Sequence, residues 1–123
     1  PEAWGDDFGI PESGNGAPDN LDEARWGLDW LLRRQGADGS VLSMLVRDTA
    51  SPPSKATGPS YYGLASTSAT LSAAGTFALA AHVFRTSQAG GDAAYADRLE
   101  AAAKSAWQWA EANPAVMFHN NDA

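Results

Sequence analysis

The chain contains no cysteine, which removes disulfides, thiolate metal sites and cysteine nucleophiles from consideration. It is also poor in basic residues: eight Lys and Arg stand against fifteen Asp and Glu, a net charge of −7. A phosphate-binding surface needs clustered Lys and Arg, so nucleic acid is not an expected partner. Long apolar runs are missing too. The longest, Leu71 to Phe84, is interrupted by Ser72, Thr76 and His82 and is too short to span a bilayer, so no membrane partner is expected. The opening Pro1-Glu2-Ala3-Trp4 has neither a basic start nor an apolar run, so no targeting segment is read there, and a lost N-terminus is expected instead. What remains is 123 residues with 44% hydrophobic content, ordinary for one globular domain or part of one.

The punctuation divides the chain into three helical segments. Residues 1–18 hold glycines, prolines and acids and read as a loop. A first helix is predicted over 19–35, with Pro18 at its first position, Asp19 or Asp22 as helix-end charge, an Asp22–Arg25 pair, and Gly36 as the stop. Leu21, Ala24, Leu28, Leu31 and Leu32 form one apolar face, and Trp26 and Trp30 a second stripe. Residues 36–65 form a long connection, expected to be mostly irregular, with a short strand from Val41 to Val46 as one option. Connections this long inside a small domain tend to be functional. A second helix is predicted over 66–85, capped by Ser66, Thr67 or Ser68. A third is predicted over 93–113, with Asp92 as cap, Pro114 as stop and Tyr95, Leu99, Ala102, Ala103, Ala106 and Ala110 as the buried face.

Three such helices do not close a core. A helix apolar on two sides needs partners on both, and leaving the Trp stripe bare forfeits several burial terms of about 1.5–3 kcal/mol each. The chain therefore either oligomerises or belongs to a larger helical array.

The run Ile10-Pro11-Glu12-Ser13-Gly14-Asn15-Gly16-Ala17-Pro18-Asp19-Asn20-Leu21-Asp22-Glu23-Ala24-Arg25-Trp26, continuing into Asp29-Trp30-Leu31-Leu32 and Gln35, resembles a segment of family 9 glycoside hydrolases. Two further stretches match in order: Tyr61-Tyr62 leading into Ser66-Thr67-Ser68-Ala69-Thr70 and the helix ending Val83-Phe84-Arg85, then the Tyr95-Ala96 to Trp107 helix ending Ala112-Asn113-Pro114. The resemblance implies an all-α fold, part of an (α/α)6 six-hairpin barrel, of which 1–123 is a partial catalytic domain. It implies a parent enzyme that cleaves β-1,4-linked glucans or related oligosaccharides with inversion, is secreted or periplasmic, and carries a structural calcium. Its partners are the polysaccharide or oligosaccharide substrate and the remainder of the barrel. The family's base lies in an Asp-Ala-Gly-Asp motif and its acid is a Glu near the C-terminus of the domain. Neither motif occurs here, so no catalytic residue, metal ligand or cofactor is assigned within the chain.

Three residues are substrate-facing candidates. Ser43 stands where relatives often place a sugar-contacting His, which leaves the substrate open. Tyr61 and Tyr62 offer flat faces that suit sugar rings, although simple packing of the loop explains them equally well. Asp6-Asp7 reads as a solvated acidic loop, and Asp19, Asp22 and Glu23 lack the ligand spacing of a calcium loop. His82 reads as a core or interface residue. The stretch His119-Asn120-Asn121-Asp122 reads as a polar loop, with calcium ligands of the parent expected just past Ala123. The rival to the enzyme reading is a non-catalytic helical interaction module that self-associates through the Trp stripe.

Overall fold

In the computed structural model, which describes residues 4–49 and 51–118, three helices pack together and an antiparallel ribbon joins the first two. The stretch His119 to Asp122 lies outside the described residues. Helix α1 runs Asp19–Leu32, strand β1 Leu45–Thr49, strand β2 Thr57–Tyr62, helix α2 Thr67–Thr86 and helix α3 Ala93–Ala112. The all-α expectation is thus corrected by a two-stranded sheet within the segment expected to be mostly irregular. The option of a strand from Val41 to Val46 is met only at Leu45 and Val46, where β1 begins; Val41 and Leu42 make isolated bridges, to Gln35 and Ala65.

Each helix begins where a local donor or acceptor is satisfied. Ser66 Oγ accepts from Ala69 N at 3.2 Å to start α2, and Asp92 Oδ1 accepts from Tyr95 N at 2.9 Å to start α3, the usual N-cap arrangement. Pro18 is the residue before α1 rather than its first helical position. At the other end Arg34 N bonds Leu31 O and Gln35 N bonds Leu32 O. Such i→i−3 bonds tighten a final turn, which is why α1 ends at Leu32 and not at Gln35.

The acids of the N-terminal loop are structural. Asp19 is 2% exposed, and its Oδ2 accepts from Phe8 N at 2.6 Å and Ser13 Oγ at 2.7 Å. Asp6 accepts from Gly14 N and Gly16 N at 2.6 and 2.7 Å, and those backbone donors hold its carboxyl below the usual range. Asp6 lies in an exposed loop, as expected, and these bonds fold the loop around it.

Helices α2 and α3 form an antiparallel pair. Arg85 near the end of α2 reaches Asp97 and Glu100 early in α3, while Thr67 at the start of α2 meets Asn113 and Val116 beyond α3. Between them Phe77, Phe84, Leu99 and a row of alanines, Ala96, Ala103 and Ala106, are buried. Small residues let the two backbones approach, and the large ones fill the remaining space. The turn needs Gly90, with φ +69 and Ala17 so near that a Cβ would meet it at 2.8 Å.

Helix α1 docks on this pair through Leu21 and Leu28 and through one charged group. Arg25 lies over the rings of Tyr95 (4.2 Å) and Phe84 (4.9 Å) and pairs with Asp92 at 3.1 Å. The expected Asp22–Arg25 pair is replaced by this long-range one, because Asp22 is engaged by Asn15 Nδ2 at 3.0 Å. Tyr95 OH donates to Asp29 Oδ1 at 3.0 Å. Burial, and then the bond to that carboxylate, push the phenol up to about 12.

The second stripe stays open, Trp26 at 73% and Trp30 at 41% exposed, and so does Leu79 of α2 at 67%. His82 is also exposed, not a core residue. Among the described residues no helix is long and apolar enough to cross a membrane.

Two outcomes are expected. Leu99→Ala should lower unfolding free energy by about 2–5 kcal/mol, the cost of a core cavity, while Leu79→Ala should change it by less than about 0.5 kcal/mol. Urea unfolding of the chain reads both. Tyr95 keeps its proton in the fold above the ordinary phenol pKa of 10.0, up to about 12. Its stabilising contribution is complete below pH 10 and drains away as pH rises toward 12. Thermal melts across that window should therefore fall more steeply for the wild type than for Tyr95→Phe.

Candidate substrate-facing surface

The connection from α1 to α2 is fastened to the helices by polar anchors. Gln35 Nε2 donates to the carbonyls of Gly39 (3.2 Å) and Ala102 (2.9 Å). Thr70 is wholly buried. Its hydroxyl donates to Ser66 O at 2.8 Å and accepts from Val41 N at 3.0 Å. Gly39, at φ +93, presses on the backbone of Ser105, where a Cβ would collide. These bonds bring the segment after α1 against α2 and α3 before the ribbon begins.

The base of the ribbon is closed by Ser43 N to Leu64 O (3.1 Å) and Gly63 N to Met44 O (2.9 Å). Beyond it Leu45 pairs with Tyr62 and Val46 with Tyr61, and an irregularity falls between Arg47 and Thr49. Side chains alternate across a strand, so Tyr62 shares a face with Leu45 while Tyr61 shares the opposite face with Val46. Both tyrosines are about half exposed, at 50% and 55%, but they look in different directions.

Beside Leu45 lies a cavity of ≈ 250 Å³ lined by Trp30, Arg34, Ser43, Met44, Leu45 and Thr76, among others. The Arg34 guanidinium lies over the Trp30 ring at 5.6 Å and over the Tyr62 ring at 5.2 Å. Ser43 Oγ and Arg34 Nε are both buried with no hydrogen-bond partner. The fold thus gathers Ser43 and Tyr62 around Arg34 and leaves Tyr61 on the other side of the ribbon. Arg34 itself is absent from the sequence-derived candidates. Its signal was present in the Trp30–Arg34 spacing of four, which puts two side chains on one helical face.

The same end of the molecule receives the chain after α3. Thr67 N donates to Val116 O at 2.9 Å, Val116 N donates to Thr67 Oγ1 at 3.0 Å, and that hydroxyl donates to Asn113 O. Ribbon, α2 N-terminus and the segment 113–118 therefore share one end of the helical body. Among the described residues no group of three or more His, Asp or Glu is arranged to hold a metal ion.

The fold of this chain recurs in solved structures of glycoside hydrolases. A crystal structure of a metagenome-derived glycoside hydrolase family 9 endoglucanase superposes with a TM-score of 0.83 at 39% identity, over 94% of this chain and 21% of that one. The family model for glycosyl hydrolase family 9 matches residues 7–123, and the chain belongs to that family. Endoglucanase D of Acetivibrio thermocellus is 32% identical over 116 residues, 90% of this chain and 18% of that protein. A xyloglucan-specific endo-beta-1,4-glucanase of Bacteroides ovatus, BoGH9A, is 32% identical over 116 residues, 91% of this chain and 20% of that protein. The chain thus spans about a fifth of the length of these relatives.

Thr70→Val, which keeps the shape and removes the hydroxyl, should cost about 1–3 kcal/mol by leaving the Val41 N–H buried without an acceptor. Urea unfolding measures the loss, and hydrogen exchange should show the Val41 amide exchanging faster.

Proposed function

We propose that this chain is part of the catalytic domain of an inverting glycoside hydrolase acting on β-1,4-linked glucans or related oligosaccharides. Its share is a substrate-facing wall, and it carries neither catalytic carboxylate. The observation that carries this reading is the gathering of Tyr62, Arg34 and Ser43 at one end of the helical body in a member of a family whose relatives include named endoglucanases. Inversion needs an acid and a base about 6.5–9.5 Å apart with water between them, and the Asp-Ala-Gly-Asp motif that holds the base in relatives is absent from these residues.

In this reading the three helices are part of an (α/α)6 barrel, and the open faces of Trp26 and Leu79 are covered by its other helices. Tyr62 stacks on a sugar ring, an aromatic face being the natural complement to its C–H surface. Ser43, smaller than the His of many relatives, leaves room for a decorated or shorter substrate. The xyloglucan-specific relative supports a glucan backbone and leaves the decoration open. Export of the parent protein and a structural calcium outside this segment belong to the same proposal. Family membership favours this reading over a self-associating helical module.

Incubated with β-1,4-glucan, the purified chain should release no reducing sugar above a heat-treated control. The complete enzyme should release the α-anomer first, seen by proton NMR. In that enzyme Tyr62→Ala should lower kcat/KM about fivefold, the size of a lost stacking contact of about 1 kcal/mol. Release of sugar by the chain alone, or a β-anomer product, overturns the assignment.

A further inference from the structure

We propose that Arg34 is a positioning residue that sets the Tyr62 ring for sugar stacking and so tunes substrate affinity. The proposal rests on the reading of Tyr62 as sugar-facing. Arg34 is unlike the other engaged cations of this acidic chain. Arg25, Arg85, Arg98 and Lys104 each meet a carboxylate, and Arg47 donates to Gly58 O. Arg34 has no ion pair among the described residues and spends its guanidinium on two rings, Trp30 of α1 and Tyr62 of β2.

The two contacts differ in what they can transmit. Trp30 is one helical turn before Arg34, so its place is set by the helix itself. Tyr62 belongs to a strand exposed at every residue, and no other ring stacks on it among the described residues. Arg34 therefore connects a fixed ring to a free one. With the guanidinium against one face, Tyr62 keeps its opposite face for a ligand and loses the freedom to swing. Pre-ordering of this kind improves binding by lowering what must be ordered on association. Arg34 Nε, buried without an acceptor, marks a side chain whose place is decided by the rings rather than by its donors.

The test uses the complete enzyme with cellopentaose as probe. Arg34→Met keeps the apolar stem and removes the charge, and it should raise KM about two- to fivefold, the range of a cation–π contact near the surface, with kcat unchanged. Arg34→Lys should recover part of the loss, since a planar guanidinium stacks better than an ammonium. In a Tyr62→Ala background Arg34→Met should have no further effect, because the two act as one unit. With 3-fluorotyrosine incorporated, the Tyr62 resonance should shift and broaden in Arg34→Met. An equal KM effect of Arg34→Met with and without Tyr62, or an unmoved fluorine resonance, overturns the positioning role. If the resonance moves but Tyr62→Ala leaves KM unchanged, the sugar-facing reading of Tyr62 falls, and this role for Arg34 falls with it.

Discussion

Everything else in the structure leans on the docking of Arg25. Its guanidinium covers the rings of Tyr95 and Phe84, while its charge is met by Asp92, which also caps α3. One side chain of α1 thereby fixes the end of α2 and the start of α3 relative to itself. A solvent-exposed ion pair alone contributes little, because water screens it. Added to two ring contacts and to the apolar body of the arginine stem, it holds a helix whose only buried apolar side chains are Leu21 and Leu28. Asp92 is held below the usual carboxylate range first by the Tyr95 N–H and then by Arg25, so the group that starts α3 is the group that receives α1.

At the opposite end the fastening is neutral. Gln35 and Thr70 supply backbone-directed hydrogen bonds where Arg25 supplies charge. Between the two ends lie alanines and a few large apolar residues, which set spacing more than direction. This division suits the proposed substrate-facing surface at the ribbon end. The charged knot is remote from the ribbon, and the neutral anchors beneath it hold its base without bringing a carboxylate to the cavity.

The helices were legible because helical periodicity is local. The buried face of α3, from Tyr95 through Leu99 to Ala110, follows from spacing alone, and residue type gave Asp92 as one cap and Ser66 as one of three options for the other. The ribbon was not legible. All its residues are exposed, so no alternation of apolar and polar residues marks it, and its pairing joins residues eight to seventeen apart in the chain. The same non-local cause hid the partner of Arg25, read as Asp22 three residues away and found as Asp92. Among the candidate residues, Ser43 was chosen from the resemblance, and Tyr61 and Tyr62 for their aromatic faces at the end of the long connection. The separation of Tyr61 from Tyr62 needed the register, since neighbouring residues of a strand face opposite ways. Arg34 was passed over because a cation near a helix end has an ordinary explanation, and only the folded chain shows that rings and not carboxylates surround it.

The exposed ribbon also bears on how such a protein can change. Every residue from Leu45 to Thr49 and from Thr57 to Tyr62 lies outside the core, and the attachment runs through bonds at residues 34–44 and 63–70 and through the Arg34 contact with the Tyr62 ring. Variation between those anchors is screened by what the surface must hold, and hardly at all by whether the chain folds. A tip of different length or chemistry can be exchanged as a cassette while the helices remain untouched. Diversification of substrate and maintenance of the scaffold thereby become separate problems for a lineage or an engineer.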